Sequence, residues 1–265
     1  MSKRFFSQQS HTARSAAREI LKADGARLHL ITASLFCLAL GAGSIFLTEN
    51  LFATVPWARL YNTDRLQFDT LNALFYLMDA LVVLLVVLPL VYGLLSVFMA
   101  TARGHRLPAR TIFSPFRGLG HYLRAVARMA AIVLPRVAAA AAFVWLLRRA
   151  LAQPTLPQQV GGVLVCLALL ILLLWLLGLS DGLLWLSLQE QNEKRCLLAL
   201  LLMSARLTWR HLGRMLRFKL SFLHWGLFSL ASVGVLFFLH AFPYYVLSHL
   251  LLMEGLSNKG SPMSG

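Results

Sequence analysis

The chain has 265 residues, is 58% hydrophobic and only 13% charged, and carries a formal net charge of +15 at pH 7. A soluble domain carries roughly one quarter charged residues, so this composition argues against a water-soluble enzyme or binding module. The basic balance (pI near 10.9) does not indicate nucleic acid, because the positive charge is parcelled between apolar runs too long for soluble helices. Anionic lipid headgroups are the fitting counter-charge, at roughly 1 kcal/mol per well-placed Lys or Arg.

Nineteen of the twenty-five Lys/Arg residues sit in three segments, Met1–Arg27, Thr101–Arg128 and Gln189–Lys219, with six, six and seven each. Each segment leads into an apolar run. By the positive-inside rule the basic segments face the cytoplasm, which predicts an all-α, multi-pass transmembrane protein with a cytoplasmic N-terminus. The leader before Leu28 is too long for the n-region of a signal peptide, so the first span is expected to be a retained anchor.

Span one is predicted at Leu28–Leu47, roughly the 20 residues a bilayer core requires. Thr48–Thr70 follows as an outer loop, with Pro56, Trp57 and Tyr61 suited to an interface. Span two is predicted at Leu71–Ala100 and span three at Met129–Leu147. Arg148–Gln159 is read as a short outer turn, and span four as Val160–Leu188. Span five is predicted at Leu220–His240, where Pro243 ends the run. Tyr244–Leu252 is then either a surface helix or the end of a sixth span. The organisation is thus a basic N-terminal segment (1–27), a helical membrane domain (28–256) and a disordered tail (257–265). A loose repeat of basic helix, span, outer loop and span covers Thr12–Ala100 and Thr101–Leu188, with a shortened copy from Lys194 to Leu256.

The basic segments read as amphipathic helices. At 100° per residue, Arg206, Arg210, Arg214 and Arg217 fall within an arc of about 80°. Arg117, His121, Arg124 and Arg128 form a second stripe, and Arg14, Arg18 and Lys22 a third. A basic stripe with apolar residues on the other faces is the pattern of a helix lying in the headgroup plane. Arg117, Arg124, Arg128, Arg206, Arg210, Arg214 and Arg217 are therefore candidate lipid- or partner-binding residues. The partner would be membrane lipid, another subunit or a second copy of this chain. Aromatic stacking platforms are absent between the charges, which argues against nucleic acid.

Charges at membrane depth are costly, so each calls for a partner. Arg136 lies seven residues inside span three and Asp181 seven residues before the end of span four, so both sit about 10 Å from the cytoplasmic edge. A short turn joins these spans, which predicts an Arg136–Asp181 ion pair. Pro135 should free carbonyls that the guanidinium could also meet. Asp79 lies toward the outer end of span two and is expected to be solvated there. Transporters show Gly- or Pro-broken helices in corresponding positions of their two halves. Here span three has Pro135 and span four Gly178 and Gly182, whereas spans one and two are read as lacking an equivalent proline.

No catalytic constellation emerges. There is no H-E-x-x-H, G-x-S-x-G or P-loop motif, and His249 and Glu254 lack a third member. Cys37, Cys166 and Cys196 lack metal-ligand spacing. The expectation is a protein that is not an enzyme and has no cofactor or metal. The leading function is a non-catalytic accessory or scaffold protein. The alternative is a small transporter or permease component using the intramembrane Arg–Asp pair.

Several short motifs carry a resemblance. They are Glu190 and Asn192 after span four, Ser204, the basic stripe, Leu220-Ser221-Phe222 with Trp225, and Pro243-Tyr244. Ala17-Arg18 with Leu21-Lys22, and Phe113 with Phe116, add to them. Together they resemble a bacterial integral-membrane family catalogued as domain of unknown function 975. The chain departs from that pattern at Arg210, where the family tends to have glycine. The resemblance implies a multi-pass protein of the bacterial inner membrane and no known activity.

Overall fold

A computed structural model of the chain describes residues 2–23, 25–54, 65–105, 107–152, 156–189, 195–222 and 242–258. Among these residues there are eight α-helices and no strand. The helices are α1 (Ser2–Lys22), α2 (Ala26–Thr54), α3 (Arg65–Val82), α4 (Leu88–Ala102), α5 (Leu119–Leu151), α6 (Leu156–Ser187), α7 (Leu197–Leu220) and α8 (Phe242–Asn258). Four helical stretches are long and apolar enough to cross a bilayer: Ala26–Asn50, Ala73–Ala102, Leu119–Ala150 and Leu164–Ser187. That points to a membrane protein. All but three residues of the predicted fifth span, Leu220–His240, lie outside the described residues, so the four candidate spans are those found among the described residues alone.

The chain forms two compact units. One comprises residues 20–126, and the other residues 1–19 with 127–265. In the first, a five-residue π-helical turn, Val83–Val87, joins α3 to α4. Its cause is Pro89, which lies inside span two and corrects the expectation that this span lacks a proline. Pro89 has no N–H to offer the Leu85 carbonyl four residues back, and its ring would crowd that carbonyl in a regular helix. The wider π turn relieves the crowding, and the Tyr122 hydroxyl donates to the Leu85 carbonyl at 2.8 Å.

Helix α4 ends in a Schellman motif. Gly104 adopts φ 81°, the His105 amide donates to the Ala100 carbonyl at 2.9 Å, and the Gly104 amide donates to Thr101 at 3.0 Å. The chain then turns through a 3₁₀ segment, Ala109–Arg117, that lies directly on α4. A Cβ at Gly93 would coincide with the Ile112 backbone, so only glycine permits this approach. Ile112, Val97 and Phe98 are fully buried around it. A ring nitrogen of His29 lies 2.7 Å from the Leu107 carbonyl, and Phe36 meets Phe113 edge-on at 5.9 Å.

In the second unit α6 and α7 pack along faces of small residues. A Cβ at Gly182 would lie 2.6 Å from Ser204 Oγ, and one at Gly178 would lie 2.8 Å from a Thr208 methyl carbon and 2.9 Å from Leu212. The Ser204 hydroxyl donates to the Leu179 carbonyl. These pairings run in opposite chain directions, so the two helices are antiparallel. Pro243 occupies the first turn of α8, where its missing N–H costs nothing; the apolar run it was expected to end lies outside the described residues.

The basic segment Thr101–Arg128 is not one amphipathic helix. Arg117 belongs to the 3₁₀ segment, whereas Arg124 and Arg128 lie in the opening turns of α5, which continues unbroken to Leu151. Pro108 and Pro115, with the extended Gly118 between the two elements, split the segment.

Candidate functional site

Among the described residues, three basic side chains converge on Asp181 of α6. Asp181 and Ser180 are buried on the face of α6 that also carries Ser187 and Leu183. Arg136, one residue after the helix-internal Pro135 of α5, reaches across to this face. Its Nη2 donates to Asp181 Oδ1 at 2.8 Å and to the Leu177 carbonyl at 3.3 Å, and its Nε donates to Ser180 Oγ at 2.5 Å. The carbonyl it meets is therefore on α6, not one freed by Pro135 on its own helix. A guanidinium satisfies three acceptors in a fixed fork, which suits it to this role.

The second carboxylate oxygen faces two groups from distant parts of the chain. Lys219 Nζ, at the end of α7, lies 2.5 Å from Asp181 Oδ2, and His249 Nε2 on α8 lies 3.5 Å from it. Both are ion-pair contacts by distance, and neither makes a hydrogen bond to that oxygen. Tyr245 stacks on His249 at 5.9 Å with 22° between the rings, and Phe218 lies 6.0 Å from His249. Four helices thus meet at one carboxylate. The sequence reading found Arg136 but missed Lys219, His249 and Ser180. Lys219 could have been suspected as the single lysine of α7, lying outside the arginine stripe.

Around the same aromatic rings α1 is held by its own arginines. The Arg14 guanidinium lies 5.0 Å from the Phe222 ring centre and 5.6 Å from that of Phe218, and donates to the Ser221 hydroxyl. Arg18 lies 5.6 Å from the centre of Tyr244. Both lie over aromatic rings, where cation–π attraction acts; Arg14 is half-buried there, whereas Arg18 stays exposed to solvent.

The candidate lipid-binding residues divide. Arg206, Arg210 and Arg217 are exposed on α7, with Arg214 half-buried beside them, and Arg117 is exposed on the 3₁₀ segment. Arg124 is half-buried and donates to the Gly120 carbonyl of its own helix at 2.9 Å. Arg128 is a correction. It is only 4% exposed and donates to the Ser187 carbonyl at 3.0 Å. The end of α6 leaves carbonyls without helical partners, and Arg128 caps one of them instead of facing headgroups.

The half-buried His211 sits on α7 between the arginines. Burial, then Arg214 and Arg210, push its imidazole below the ordinary histidine value, because each disfavours the charged ring. Among the described residues no cluster of three or more His, Cys, Asp or Glu could hold a metal ion. No family model, curated protein or solved structure matches the chain.

Proposed function

We propose that this chain is a non-catalytic accessory or scaffold protein of the membrane, holding anionic lipid or a partner subunit through its basic helices. The observation that carries this reading is the two-sidedness of α7. Arg206, Arg210 and Arg217 are exposed along one face, while Ser204, Thr208, Met215 and Phe218 on the opposite face are buried in the bundle. A rigid helix seated in this way presents its charges without paying to order them. The proposed topology has five spans, or six if α8 completes one. Its N-terminus is cytoplasmic, its basic segments lie on the cytoplasmic side, and the membrane is the bacterial inner membrane. The short motifs shared with the domain of unknown function 975 family fit that arrangement.

The test is native mass spectrometry of the protein extracted with its surrounding membrane. The parent should retain anionic lipid or a partner at fixed stoichiometry, and Arg206→Gln/Arg210→Gln/Arg214→Gln should lose it. Equal retention by the two would remove the mechanism.

One observation favours a second reading, a small transporter or permease component. Asp181 lies within a candidate span and is met by Arg136, Lys219 and His249, and intramembrane carboxylates of this kind mark ion or proton pathways. Under that reading, neutralising Arg136 and Asp181 together abolishes flux in proteoliposomes, and unchanged flux rejects it.

A further inference from the structure

The two oxygens of Asp181 are not equivalent. Arg136 donates to Oδ1 at 2.8 Å and carries its charge at every accessible pH, so the carboxylate enters that bond as an anion. Oδ2 is approached from two other helices. Lys219 Nζ on α7 stands 2.5 Å from it and His249 Nε2 on α8 stands 3.5 Å from it. The longer distance exceeds the roughly 2.7–3.2 Å of an N–H···O hydrogen bond, and neither Oδ2 nor Nε2 has a hydrogen-bond partner. One acceptor atom therefore faces two basic groups. Of the two, imidazole is the one whose ordinary change of charge falls between about pH 5 and 8.

The surroundings of the His249 ring set attraction against cost. Asp181 supplies an opposite charge at the ring edge. Tyr245 stacks on the ring at 5.9 Å and Phe218 lies 6.0 Å from it, and aromatic faces at such distances attract a cation. Against a charged ring stand its own burial, Lys219 beside the same oxygen and Arg136 on the other oxygen. The Arg14 guanidinium of α1, 5.6 Å from the centre of Phe218, adds a further positive charge nearby.

Exposure decides which partner can yield. The Lys219 side chain is 21% exposed and that of His249 only 8%. A lysine ammonium is strongly hydrated and sits on a flexible stem, so it can turn to water. The imidazole, packed against Tyr245 and Phe218, has no such exit.

We propose that Oδ2 of Asp181 is a two-position switch worked by protonation of His249. With a neutral imidazole, Lys219 holds the oxygen and ties α7 to α6. When the ring takes a proton from solvent, both of its nitrogens are donors. The imidazolium then closes on Oδ2 in a charge-assisted hydrogen bond, α8 is tied to α6, and Lys219 turns to solvent. Arg136 keeps Oδ1 in both states, so α5 and α6 stay joined. One proton is the only species exchanged. The switch goes beyond both readings of function and requires neither.

The test uses the full chain in detergent, labelled with ¹⁵N-histidine, with ring nitrogen resonances followed by NMR from pH 8 to pH 5. The His249 signals are those missing from His249→Gln, or from His249→Phe, which keeps a ring against Tyr245 should the glutamine variant not fold. They should pass from neutral ring to imidazolium, and in Lys219→Gln the transition should move to higher pH by about one unit. A ring that stays in one protonation state throughout overturns the proposal. So does a transition that Lys219→Gln leaves in place.

Thermal unfolding distinguishes exchange of partners from simple repulsion between charges. Each variant is compared with the parent at the same pH, so the other histidines cancel. Lys219→Gln should lower the melting temperature at pH 8 and much less at pH 5. His249→Gln should do the reverse, because a folded state that binds the proton more tightly than the unfolded chain gains stability as pH falls. Losses that are equal at the two pH values would show that both side chains only pack, and would overturn the switch.

Discussion

The Arg136 guanidinium lies 2.8 Å from the Asp181 carboxylate, bridging α5 and α6, while the other carboxylate oxygen faces Lys219 of α7 and His249 of α8. The arrangement is asymmetric: Asp181 has three basic neighbours, whereas Arg136 also holds Ser180 and the Leu177 carbonyl.

Unequal consequences follow from removing either partner. Asp181→Asn leaves Arg136 and Lys219 without a counter-charge, and loss of one partner from a buried pair costs about 3–5 kcal/mol. Arg136→Gln should cost less, because Lys219 and His249 still face the carboxylate. Thermal unfolding in detergent should rank Asp181→Asn well below Arg136→Gln. The opposite order would show that Arg136, not Asp181, is the hub.

Tyr122 and Pro89 should be coupled. Tyr122→Phe leaves the Leu85 carbonyl without the hydroxyl that meets it, at about 1 kcal/mol. Pro89→Ala restores an amide that can bond to Leu85 directly, so Tyr122→Phe should cost little in that background. A double-mutant cycle on unfolding measures the difference; strict additivity would mean that Tyr122 does not compensate for the proline.

The contact of α6 with α7 should be intolerant of a methyl group at Gly182. Gly182→Ala places Cβ against Ser204 Oγ, and overpacking of this kind costs roughly 1–3 kcal/mol. Ser204→Gly should recover part of that loss by removing the opposing side chain. Gly43→Ala, with nothing within 4 Å of the added Cβ, is the control and should be neutral or stabilising, as Ala is the better helix former.

His211 sets a pH dependence. Its folded-state pKa is depressed by burial and by Arg214 and Arg210, so below the ordinary value near 6.5 the unfolded chain binds more protons than the folded one. The stability associated with the neutral ring is fully present above about pH 6.5 and is lost as pH falls below it. The melting temperature of the parent should therefore drop between pH 7.5 and 5.5, and that of His211→Gln should drop less. Identical slopes would remove His211 from the account.

Much of this architecture was legible before any coordinates. A bilayer demands a fixed length of apolar chain, so the four runs beginning near Leu28, Leu71, Met129 and Val160 could be placed from hydropathy alone. Their helices begin and end within several residues of the predicted bounds, except that α5 starts ten residues early, at Leu119. That extension joins Arg124 and Arg128 to the span, and no local signal separates a basic helix from the span it feeds. Pro89 was readable too, since the consequence of a missing amide four residues after Leu85 is local.

What only the tertiary structure decided is where each charged side chain points. Arg136 and Asp181 could be set at one level because a short turn joins their helices and depth follows from the rise per residue. Lys219 and His249 reach the same carboxylate from α7 and α8, through packing that no sequence period encodes. Arg14, Arg128 and Arg206 are alike in sequence, each a cation in a basic segment. One stacks on Phe218 and Phe222, one caps the end of α6, and one is exposed. The amino-acid sequence by itself determined which segments are apolar enough to leave water, because that depends on composition over a window. The partner of each charge depends on which helices lie against one another, and that is a property of the packed bundle alone.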